Sequence, residues 1–163
     1  MPRSRHDRVV EILYNLAKKI YEISYAYNIS EYETIDIITK SHKRRAAITY
    51  PYSPDLWCKD KRTGRIDVYE VWDKQLPDAC VGDIVLSALT PNIDTLSIIC
   101  FDKKQEELAH KLAEVILYSL FDDKRQFLLN PNLVKPYITL IPKDIQNNVV
   151  KIEDYLREKL KLH

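Results

Sequence analysis

The chain is poor in glycine and cysteine, nearly balanced in charge and without a long apolar run, and each shortage excludes something. Only two glycines occur in 163 residues, and no GxxxxGK[ST], GxGxxG or GxSxG can be written around them, so the common glycine-built phosphate loops and nucleophile elbows are absent. The three cysteines, Cys58, Cys80 and Cys100, are odd in number, far apart and at no zinc spacing. That argues against a disulfide framework and for buried structural thiols in a reducing compartment. No apolar stretch reaches the ~18 residues of a membrane span, and the opening MPRSRHDR leads into an amphipathic pattern instead of a signal sequence. A cytoplasmic location with no membrane partner is the expectation. With 25 basic and 24 acidic residues the formal charge is only +1, so net charge does not announce a nucleic-acid partner and any basic surface has to be local.

What is present is enough for one domain spanning residues 1–163, because 45% apolar residues in a chain of this length supply a proper core. The abundance of Ile, Tyr, Lys and Glu beside little Gly and Gln suits a thermophile. The most informative stretch is YPYSPDLWCKDKRTGRIDVYEVWDK, Tyr50 to Lys74. Asp55 follows Pro54 and opens a short apolar strand. Lys59 to Arg65 is a polar turn containing Gly64, and Ile66 to Trp72 is a second strand. Side chains alternate along a strand, so Ile66, Val68, Glu70 and Trp72 share one face, while Asp67, Tyr69, Val71 and Asp73 share the other. Glu70 therefore stands in an apolar row, where a carboxylate is costly unless a cation, a metal or hydrogen bonds compensate it. Asp55 on the partner strand is placed to share a cation with it.

A Pro-Asp pair, a short hairpin and an acid in the middle of the next strand resemble the PD-(D/E)XK nuclease superfamily. The resemblance implies an α/β, restriction-endonuclease-like fold with a mixed central sheet flanked by helices. It also implies a magnesium (or manganese) ion held by Asp55, Glu70 and the backbone carbonyl of Val71. The superfamily's lysine, two residues past the acid, falls at Trp72 in this chain. Lys74 is the nearest catalytic substitute in sequence, although four residues along a strand is roughly 13 Å, which requires the strand to bend at Asp73. Lys59, Lys61, Lys40 and His42 are further candidates for the missing cation.

The rest of the chain is read around this hairpin. Ser4 caps a helix expected over about 4–28, striped by Val9, Leu13, Leu16, Ile20, Ile23 and Tyr27. Glu11, beside the stripe, is a candidate first-helix acid of the kind some superfamily members add. Tyr32 to Thr39 alternates like a strand. The densest basic run follows, Lys40-Ser41-His42-Lys43-Arg44-Arg45, and is either a phosphate-holding surface or a solvated connection. Tyr50 and Tyr52 either stack on bases or cover the core.

Pro77 starts a helix with Val81, Ile84, Val85, Ala88 and Leu89 inward; Asp83 points to another side and is a lesser candidate to face the site, and Thr90-Pro91-Asn92 stops the helix. Thr95 to Phe101 is a strand buried on both faces, and Lys103 to Phe121 a helix with Leu108, Leu112, Val115, Ile116 and Leu120 inward. Asn130-Pro131-Asn132 is a loop, Tyr137 to Ile141 a last strand, and a final helix covers about 143–162. The stripes of the first and last helices complete the core or pair with a second copy, making a homodimer plausible. The functional expectation is a metal-dependent nuclease hydrolysing phosphodiester bonds in DNA. The alternative is a nuclease-fold domain without turnover that binds nucleic acid or a protein.

Overall fold

The structure is a computed structural model and describes residues 3–26, 29, 34–40, 47–90, 93–120 and 136–161. Among the described residues four helices and seven strands follow one another as α1 (Arg5–Ala17), β1 (Ile23–Ala26), β2 (Ile35–Lys40), β3 (Ala47–Tyr52), β4 (Leu56–Lys59), β5 (Ile66–Trp72), α2 (Pro77–Leu89), β6 (Ile93–Cys100), α3 (Lys103–Leu120), β7 (Tyr137–Leu140) and α4 (Val149–Lys159). Five strands form a mixed sheet in the order β1-β4-β5-β6-β7, and β2 and β3 make a separate two-stranded ribbon. The β1–β4 and β4–β5 pairs are antiparallel. The β5–β6 and β6–β7 pairs are parallel, with α2 and α3 as the crossovers. The chain is thus α/β, a mixed central sheet flanked by helices.

The hairpin forms where its sequence pattern places it. Leu56 pairs with Tyr69 and Lys59 with Ile66. Gly64 takes a left-handed φ of 72° and its N–H donates to the Asp60 carbonyl at 2.8 Å, a conformation that costs glycine little. Alternation along β5 then sends its residues to two cores. Ile66, Val68 and Trp72 join Cys80, Ile84 and Ala88 of α2 and Ala109 and Ala113 of α3. Tyr69 and Val71 join Val9, Leu13 and Leu16 of α1 and Ile152 and Leu156 of α4. Both faces being covered, every residue of β5 is buried, Glu70 and Asp67 included.

Helix ends follow local rules. The Ser4 hydroxyl accepts from the Asp7 N–H at 3.1 Å, and Asn148 caps α4 by accepting from the Lys151 N–H at 3.1 Å. Asp102 accepts from the Gln105 N–H at 2.9 Å at the start of α3. Pro77 occupies the first turn of α2, where its missing N–H costs nothing.

Three expectations are corrected. The first helix ends at Ala17, not near residue 28, and the continuation of its stripe is divided between a turn and β1. Ile20 is 43% exposed, while Tyr25 stacks on Trp57 of β4 with ring centroids 4.7 Å apart. The β-branched and aromatic residues after Ile20 gain a ladder with β4 that a continued helix would forgo. The final helix is shorter than 143–162: residues 143–145 form a 3₁₀ turn and α4 begins at Val149. The inward faces also shift, since Val115 is 63% and Val149 49% exposed. The α1 and α4 stripes pack on each other and on the sheet. The three cysteines are free and buried, as expected, and burial pushes Cys58 up to about 12 and Cys80 to about 11. The Asn130-Pro131-Asn132 loop lies outside the described residues.

Candidate functional site

Glu70 lies between Val68 and Trp72 on the α2 side of β5, 4% exposed. Tyr52, the last residue of β3, inserts its ring into the same core and donates its hydroxyl to Glu70 Oε1 at 2.7 Å. The same hydroxyl lies 2.9 Å from the Ser87 hydroxyl of α2. This chain of hydrogen bonds does not offset the loss of water. Burial pushes the Glu70 carboxyl well above the usual range, and the nearby Asp55 and Asp83 push it further.

Asp55 stands between Pro54 and the first residue of β4. Its Oδ2 accepts from the Val71 N–H at 2.8 Å and lies 3.1 Å from Nε2 of His6, in the first turn of α1. In a strand the N–H and C=O of one residue leave the same side. The Val71 carbonyl therefore points to the Asp55 side of β5.

His6 is the cation of the site. Its Nδ1 lies 3.0 Å from Asp7 Oδ1 while Nε2 faces Asp55, so both ring nitrogens meet carboxylate oxygen and the imidazolium satisfies both. The hydrogen bond to Asp55 is the largest cause that raises the imidazole to about 9, against the opposing effect of burial. The neighbouring residue holds the helix start in place. The Arg5 guanidinium binds Asp73 just past β5, donates to Gln146 Oε1 at 2.8 Å and lies 4.3 Å from the Phe101 ring centroid. Gln146 in turn donates to the Phe101 and Ile141 carbonyls at 2.7 and 3.0 Å. Arg5 thus ties the start of α1 to the ends of β5 and β6, and His6 follows.

Asp83 of α2 completes the acids. Its Oδ2 accepts from the Trp72 indole N–H at 2.9 Å and from the Gln75 amide at 2.6 Å. Burial nevertheless pushes it up to about 6. Trp72 is therefore a fully buried indole tied to an acid on the facing helix.

The expected residues are partly brought together. Asp55, Glu70 and Val71 converge. Lys74 is exposed in a left-handed turn with φ 53° just beyond β5; among the described residues no hydrogen bond or ion pair joins it to either acid. Glu11 forms an ion pair with Arg3. Lys40 ends β2, and His42, Lys43, Arg44 and Arg45 lie outside the described residues. His6 and Ser87 have no sequence signal as site residues, because nothing in local spacing connects them with residues 55 and 70. Among the described residues no group of three or more His, Cys, Asp or Glu side chains is arranged to hold a metal ion as it stands. The Asp55–Glu70 pair still fits the modest demand of magnesium, which takes one or two carboxylates and keeps several waters. No family model, curated protein or solved structure matches the chain.

Proposed function

We propose that the chain is a nuclease-like protein that hydrolyses phosphodiester bonds in DNA with a divalent ion, magnesium or manganese, at Asp55 and Glu70. The observation that carries this reading is the convergence of Asp55 on the buried Glu70, with Asp83 nearby and, among the described residues, His6 as the cation that meets Asp55. Carboxylates brought together in a buried place are what a bound cation relieves: burial raises the Glu70 carboxyl, and Asp55 and Asp83 raise it further. When bound, the ion would polarise the phosphoryl group and activate water.

The protein's own groups have distinct parts. Asp55, fixed by the Val71 N–H, and Glu70, fixed by Tyr52, are the ligands, with the Val71 carbonyl as a third. His6, charged and held by Asp55 and Asp7, supplies the cation that β5 lacks. It is a candidate to donate a proton to the leaving oxygen or to steady its charge. The basic run Lys40 to Arg45, in the connection from β2 to β3, is assigned to phosphate contacts outside the reacting group.

One observation favours a second reading, a nuclease-like fold that binds nucleic acid or a protein without turnover. Trp72 fills the lysine position with a core indole, and its polar atom is already taken by Asp83.

Cleavage assays on single-stranded, duplex and branched DNA, in magnesium or manganese and in chelator, separate the two. Metal-dependent cutting that disappears in Glu70→Gln is the expected result. His6→Ala should slow it about 100-fold, the lower end of what a positioned acid or base contributes. Cutting by Glu70→Gln at the wild-type rate would remove Glu70 from the site. Absence of cleavage on every substrate, with metal binding retained, would establish the second reading.

A further inference from the structure

On the opposite face of the sheet from Glu70, under the ends of α1 and α4, lies a cavity of about 520 Å³. That size is within the range of small-molecule sites. Its floor comes from the strands. Asp67 pairs with Thr95, and Tyr69, Ser97 and Tyr137 form one row across β5, β6 and β7. Farther along the same strands, where α1 and α4 cover this face, it is apolar: Val71, Ile99 and Ile141 belong to the core there. The three adjacent strands each change there from apolar to hydroxyl-bearing residues, at Tyr69, Ser97 and Thr139, so the polar end of this face lies beside the ends of α1 and α4.

Asp67 builds the wall of the cavity. It is 3% exposed and accepts from the Tyr21 hydroxyl at 2.5 Å, the Thr95 hydroxyl at 2.6 Å and Arg65 Nε at 3.2 Å. Its charge is matched by Arg65, and its hydrogen bonds fix Tyr21 and Thr95. What faces the interior beyond that set are donors. Among the described residues no hydrogen bond claims the hydroxyls of Ser97, Tyr137 or Thr139; Lys159, whose ammonium lies 5.7 Å from the Tyr155 ring centroid, and Lys161 also line the cavity. Lys161 is brought there by the left-handed turn, φ 53°, that ends α4. With three cations against one carboxylate, the cavity carries a positive excess. Hydroxyl and ammonium donors suit an anion rich in acceptor oxygens. The Tyr137 ring, 62% exposed, with Ile20 and Leu160 beside it, supplies a surface for a flat or apolar body.

We propose that this cavity is a binding site for a small phosphomonoester with an aromatic body, of the nucleoside monophosphate class, independent of the acidic site on the other face. Calorimetric titration with adenosine 5′-monophosphate, adenosine and inorganic phosphate tests it. Three proteins are compared: the wild type, the Lys159→Ala/Lys161→Ala double variant and Glu70→Gln. Saturable binding of the nucleotide is expected, weaker by about tenfold or more for adenosine, for inorganic phosphate and in the double variant. Glu70→Gln should bind like the wild type. Failure of the wild type to bind the nucleotide, or binding unaffected by loss of both lysines, would overturn the assignment. A marked loss in Glu70→Gln would do so too, by moving the ligand to the other face.

Discussion

The Asp83 carboxyl receives hydrogen bonds from Trp72 and Gln75 and is still pushed up to about 6, because burial outweighs both donors. An acid raised in this way holds its proton to higher pH in the folded protein than in the unfolded chain. Its contribution to stability is therefore fully present below about 4 and is lost as pH rises through about 6. Above that the ionised group costs the fold on the order of 3 kcal/mol. Asp83→Asn keeps an acceptor for the indole and removes the charge. Urea midpoints measured from pH 4 to 7 should show the variant gaining on the wild type as pH rises. A constant difference across that range would mean Asp83 does not titrate there.

Among the elements, the β4–β5 hairpin was the most legible. Its two strands, the parity of Glu70 and the turn at Gly64 all follow from alternation and from the position of the one glycine between the strands. The turn offers a clean test, since a methyl group added at Gly64 meets nothing within 4 Å. Gly64→Ala should therefore cost about 1 kcal/mol, through the left-handed backbone alone, as read from denaturant unfolding. A neutral substitution would show that the turn relaxes to another conformation. The first helix was less legible. A stripe stepping by three and four continues past Ala17 into Ile20, Ile23 and Tyr27, and one sequence accommodates both periods over so short a run. β1 is decided by the vacant edge of β4, a partner that local periodicity does not contain.

Over the whole molecule, the two-stranded ribbon stands outside the main sheet and touches it at its base, through Ile35 and Tyr52. Its far end, where Lys40 pairs with Ala47, is five residue steps away, roughly 17 Å. The basic run begins at that end with Lys40, and its residues 41–45 lie outside the described residues. Under the proposed function this charge binds phosphates. Replacing Lys43, Arg44 and Arg45 by alanine should weaken DNA binding and reduce the slope of log affinity against log salt by up to about 3. An unchanged slope in a salt titration would return the run to an ordinary solvated connection.

The sequence by itself determined the class of fold, the acidic hairpin, the face that Glu70 occupies, the buried thiols and the caps at Ser4 and Pro77. All of these rest on interactions between residues close in the chain, or on an alternation that any buried sheet enforces. Only the tertiary structure decided that His6 meets Asp55, that Tyr52 meets both Glu70 and Ser87, that Asp83 receives Trp72, and that β1 rather than β2 completes the sheet. These contacts join residues 11 to 49 positions apart. Their partners are chosen by which helix end and which strand edge meet at the C-terminal end of β5, and no local pattern of residues encodes that choice.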